Sequence, residues 1–103
     1  MINNERVLEI LQYRKWTIER NVDAPTEWWE ELTVIFSKNI KETIKYFDNC
    51  KEEDIAILIE LFEDIAMKSQ SKDFIKFIEK LEKQYPNIDM EQEIAWSKNA
   101  IED

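Results

Sequence analysis

The 103-residue chain contains no glycine and no histidine, and only two prolines and one cysteine. Each shortage removes a class of chemistry. Without glycine there is no phosphate-cradling loop, dinucleotide-binding turn or calcium loop of the usual kind. Tight β-hairpins lose their preferred turn residue, which favours helices that close on asparagine instead. Without histidine there is no catalytic triad, no histidine general base and no histidine-liganded metal, including the glutamate–histidine sites of helical bundles. The lone Cys50 has no partner for an internal disulfide, and Ser37, Ser69, Ser71 and Ser97 have no base to activate them. The expectation is therefore a protein without enzymatic activity, metal or cofactor. No N-terminal run has the pattern of a secretion signal, and the apolar runs are short and broken by carboxylates. A cytoplasmic, reduced chain that does not enter membranes is expected.

What the chain does have is charge and helical periodicity. Its 23 acidic and 14 basic side chains give a formal net charge of −9, which repels nucleic acid and anionic membranes and attracts basic partners. The excess is uneven. Residues 51–70 carry six acids against two bases and residues 87–103 five against one, whereas residues 1–25 balance at four and four.

The apolar spacing predicts a single all-α domain over 1–103, a compact bundle of about five helices at 4–20, 26–48, 52–68, 71–84 and 90–101. The third is central. It sets Ile55, Leu58, Ile59, Phe62, Ile65 and Ala66 on one side, widened by Ile57 and Leu61, so neighbours must cover it on more than one flank. In the first helix, Asn3 or Asn4 is the cap, Asn21 the stop, and Val7, Ile10, Leu11 and Ile18 the inner face. Arg14 falls in that face and has two placements: a stem on the core with its head in water, or an ion pair with a neighbouring helix. The stripe Trp29, Leu32, Phe36, Ile40, Thr43, Ile44, Phe47 keeps its phase, which favours one continuous helix over 26–48 rather than a break at residues 37–39. Asn49 ends that helix and, with Glu52, has capping-box spacing for the third, as Asp89 with Gln92 has for the last.

Two groups of residues stand out as partner-binding candidates. On the central helix, Glu53, Glu60, Glu63 and Asp64 face water, and Glu60 and Asp64 place like charges four residues apart, which disfavours the helix locally. Such carboxylates are either simply solvated or matched to a basic surface. The second group is aromatic. Trp16 points away from the core stripe, and Trp28 sits on the shoulder of the second helix among Glu27, Glu30 and Glu31. Trp28 either fills a gap between helices or anchors a partner with a basic, apolar-pitted surface, Glu27 and Glu31 forming the rim.

A small, acidic, all-helical chain with tryptophans among carboxylates, as in TEWWEEL, and with SKDFIKFIEKLEKQYP as its other marked stretch, resembles the helical immunity proteins of bacterial contact-dependent and polymorphic toxin systems. The resemblance is one of type across the whole chain and transfers no individual residue. It implies an antitoxin that occludes a cationic toxin domain, with steering by charge and slow release through buried aromatics. Replacing Glu60, Glu63 and Asp64 together by lysine is then expected to slow association more than it changes folding. The alternative is a cytoplasmic adaptor or assembly module, homodimeric through the Trp16 or Trp28 surface, whose acidity serves solubility.

Overall fold

Phe36 and Phe47 lie eleven positions apart in the chain, yet in the computed structural model their rings meet edge to face with centroids 4.9 Å apart. A continuous helix would separate their Cα atoms by about 16 Å, at 1.5 Å per residue. The expected helix over 26–48 is thus two helices, α2 (Thr26–Ser37) and α3 (Ile40–Asp48). Asn39 makes the break by leaving the helical region and accepting the Glu42 N–H on its side chain at 3.2 Å. The Phe36 carbonyl, which a continuous helix would pair with the Ile40 N–H, receives the Thr43 hydroxyl at 2.5 Å instead. The stripe restarts in register: Leu32, Phe36, Thr43 and Phe47 are all buried.

The structure describes residues 2–102, which contain seven α-helices, one 3-10 turn and no strand. The remaining elements are α1 (Asn4–Glu19), α4 (Glu52–Leu58), a 3-10 turn (Ile59–Leu61), α5 (Phe62–Ser69), α6 (Lys72–Gln84) and α7 (Glu91–Ala100). Since α4, the 3-10 turn and α5 follow one another without coil, the molecule reads equally as six helical units. That is one more than the periodicity predicts, and the added unit comes from the split at Asn39. Seven non-polar residues of the 52–69 unit are buried from Ile55 to Ala66, and α5 lies between α2 and α7. The Cα radius of gyration is 13.0 Å, as expected for a folded chain of this length.

The core is aromatic at its centre. Phe47 brings the short α3 against Phe36 of α2, Phe62 of α5 and Phe74 and Phe77 of α6, all within 6.4 Å between centroids. Leu58, Leu61, Ile65, Ile78, Leu81 and, from the connection before α7, Met90 complete it without exposed surface above 1%.

Glycine's usual duties fall to two amide residues. Asn21 (φ 53°) follows α1 in the left-handed region, with its N–H on the Ile18 carbonyl and the Val22 N–H on Thr17, a Schellman ending. Gln70 (φ 53°, ψ 34°) ends α5 in the left-handed region too, with its N–H on the Ala66 carbonyl at 2.8 Å, and uses its side chain as a clasp. Its amide nitrogen donates to the Met67 and Ala100 carbonyls, both at 2.8 Å, and its oxygen accepts the Glu102 N–H at 2.7 Å. These bonds offset the roughly 1–2 kcal/mol that the left-handed backbone costs a residue with a Cβ.

Other expectations need correction. Ile18 is half exposed, and Thr17 takes the inner position, its hydroxyl turned back onto the Arg14 carbonyl at 2.7 Å. The reason is rotational: Thr17 follows Val7, Ile10 and Arg14 at spacings of three and four, and this row is the one that meets the core. Asn49 does not cap α4. It closes α3 by donating its side-chain amide to the Lys45 carbonyl at 2.7 Å, and α4 starts after Lys51 without a side-chain cap. Asp89 accepts the Glu91 N–H at 3.3 Å, but α7 begins after Met90 and the expected box with Gln92 is not formed.

Thr43→Val keeps the side-chain volume and leaves the buried Phe36 carbonyl unpaired, so it should lower unfolding free energy by about 1–3 kcal/mol. Urea denaturation followed by far-UV circular dichroism measures this, and a loss below the detection limit would mean that the bond does not hold the α2–α3 break.

Candidate functional site

Helix α1 packs through Val7, Ile10 and Leu11, and large side chains stand between it and α2. Tyr13 on α1 and Trp28 on α2 meet with ring centroids 5.1 Å apart and planes tilted by 31°. Deeper in, the Arg14 guanidinium lies over the Trp29 ring, 5.6 Å from its centroid. Helices separated by such groups leave a furrow at the surface.

That furrow is a groove of about 580 Å³ lined by Glu9, Gln12, Tyr13, Trp16 and Trp28. The first four share one face of α1, at spacings of three, four and seven residues. Tyr13 and Trp16 are each 50% exposed, so two of the three rings present substantial surface to solvent. Trp16 already carries a cation: Arg20 stacks over its ring at 4.5 Å from the centroid.

Ion pairs fasten α1 in place on either side of its apolar face. Arg6 grips Glu31 of α2 with two nitrogens, at 2.5 and 2.8 Å, and also bonds Glu9. These contacts raise the Arg6 pKa and hold the Glu31 carboxyl below its ordinary value, in both cases mainly through the hydrogen bonds. Arg14 reaches Glu60 at 3.2 Å, and Lys15 reaches Asp54 at 2.8 Å and Glu53 at 3.3 Å. Both expected placements of Arg14 are partly realised: its stem is half buried and its head pairs across to the 3-10 turn. All three basic residues of α1 are engaged, and Arg20, just after it, contacts the Trp16 ring and Glu19.

The expected partner-binding residues therefore fall into separate places. Trp16 and Trp28 share the α1–α2 groove, with exposed Glu27 beside Trp28 and Glu31 one turn on, held by Arg6. Glu53 and Glu60 lie where α1 crosses α4 and the 3-10 turn, paired to Lys15 and Arg14. Asp64 lines a second groove, between α2 and α5, with Trp29, Val34 and Met67, and Glu63 is half buried next to it in sequence. Among the described residues Glu27, Glu63 and Asp64 form no ion pair. Tyr13, Glu9 and Gln12 were not singled out from the sequence. Their spacing to Trp16 was the available signal, but it becomes meaningful only once Trp28 is known to face the same furrow.

A third groove, between the start of α1, α3 and α4, includes Tyr46, Cys50 and Asp54. Burial and then the nearby Asp54 carboxylate push the half-buried Cys50 thiol up to about 12, and burial does the same to Tyr46. Among the described residues no three carboxylates or thiols gather closely enough to hold a metal ion, and no helix is long and apolar enough to cross a membrane. Comparison with family models, curated proteins and solved structures finds no match for this chain.

The raised thiol and phenol fix the sign of an alkaline effect. Their protonated forms are favoured in the folded state, so the unfolded chain releases protons first and stability falls as pH rises from about 9 towards 12. Denaturation midpoints measured across that range should decline, and Cys50→Ala should flatten the decline; a slope identical to that of the unaltered chain would show that Cys50 does not titrate as described.

Proposed function

We propose that this chain is a protein-binding module of the immunity-protein kind, which neutralises a basic toxin domain by covering it with the face formed by α1 and α2. One observation carries the reading: Tyr13, Trp16 and Trp28 converge on one surface groove, while the three basic residues of α1, and Arg20 just after it, are already committed to carboxylates or a ring. Tryptophan and tyrosine are enriched among the few residues that carry most of the energy in protein interfaces. The net charge of −9 supplies the attraction that brings a basic partner to them. Occlusion requires no reactive group, which agrees with a sequence that has neither histidine nor glycine.

The distribution of ion pairs changes which carboxylates test the steering. Reversing Glu60 would also expel Arg14 from its pairing, so a triple change including it mixes docking of α1 with partner attraction. Glu27, Glu63 and Asp64 avoid that difficulty. Changing all three to lysine should slow association with a basic toxin domain encoded beside this chain by about tenfold or more at low salt, while circular dichroism shows the helices retained. Stopped-flow fluorescence against ionic strength reads the rate. An association rate unchanged at low salt, or no complex with such a domain, would count against the proposal.

A further inference from the structure

Resting on that reading, we propose that the Tyr13–Trp16–Trp28 groove is a pocket for a cationic side chain of the partner, an arginine guanidinium by preference. Aromatic faces carry negative quadrupole density and attract cations placed over them, and a planar guanidinium can stack on one ring while its edge bonds to a carboxylate. Both elements are present. Three rings line the groove, Tyr13 and Trp28 at 5.1 Å from each other and Trp16 half exposed, and the Glu9 carboxylate and Gln12 amide line it with them. A neutral apolar side chain would use the rings but neither the Gln12 amide nor the Glu9 carboxylate, which Arg6 contacts through one oxygen.

Charge around the groove points the same way. Glu5 and Glu9 are exposed on the groove side of α1, and Glu27 is exposed and unpaired beside Trp28 among the described residues. The cations beside the groove are Arg6, held by Glu31 and Glu9, and Arg20, stacked on Trp16. The remaining potential is anionic and suits an incoming cation. The molecule also displays the contact twice within itself, Arg20 on Trp16 at 4.5 Å and Arg14 over Trp29 at 5.6 Å.

The test uses the full chain and small probes. N-acetyl-arginine methylamide is titrated at constant ionic strength while the indole N–H signals are followed by two-dimensional NMR, with Trp16→Ala assigning one of them. The citrulline and leucine counterparts, which lack the charge, are the controls. Saturable shifts of the Trp16 and Trp28 signals with the arginine probe alone are expected, and Trp16→Ala should weaken the effect at Trp28 by about 2- to 5-fold. Glu9→Gln, which also releases Arg6 from one of its two carboxylates, should weaken it while circular dichroism shows the helices retained. Equal shifts with leucine or citrulline, or none with arginine, would overturn the cation pocket. If the toxin domain still binds with steep salt dependence in that case, only the pocket assignment falls; if arginine binds but no basic protein partner does, the broader reading fails and the pocket stands.

Discussion

The contact between Phe47 and the rings of three other helices is the constraint on which the fold depends. α3 has only nine residues, too few to hold a helical form in isolation, and its fully buried Phe47 joins α2, α5 and α6 at one point. For that ring to reach Phe36 the chain must turn between Ser37 and Ile40. Asn39 and Thr43 are the residues that make the turn inexpensive, one by capping the new helix and the other by satisfying a carbonyl of the old one.

Around this centre α1 is attached differently. Three aliphatic side chains bury it, and Arg6, Arg14 and Lys15 orient it against carboxylates on α2, α4 and the 3-10 turn. Exposed pairs of this kind contribute little to stability because water screens them. Their value lies in fixing the rotation and distance of the helix, and therefore the width of the aromatic groove beside it. The same residues explain why the acidic surface is less free than the sequence implies: Glu31, Glu53 and Glu60 already have partners, whereas among the described residues Glu27, Glu63 and Asp64 form no ion pair.

The helical class and the buried rows of α4 to α7 were legible because period and burial agree there: Phe74, Phe77, Ile78 and Leu81 recur at helical spacing and are all buried. The α2–α3 break was not, because the stripe continues in phase across it and only the meeting of Phe36 with Phe47 shows that the rod folds back. The caps show the limit of local rules. Asn3 and Ser71 accept from the third residue onward as expected of good caps, but Asn49 serves the helix behind it rather than the one ahead. Of the candidate site, Trp16 and Trp28 could be chosen from spacing and neighbouring acids. Their assembly with Tyr13 depends on how α1 rotates against α2, which ion pairs between distant positions decide.

Gln70 joins two places that are far apart in the chain. Its backbone ends α5, and its side chain holds the carbonyl that finishes α7 and the amide of Glu102 beyond it. Fraying of the last helix therefore breaks hydrogen bonds made by the residue that closes the corner between α5 and α6, so opening at one end loosens the other.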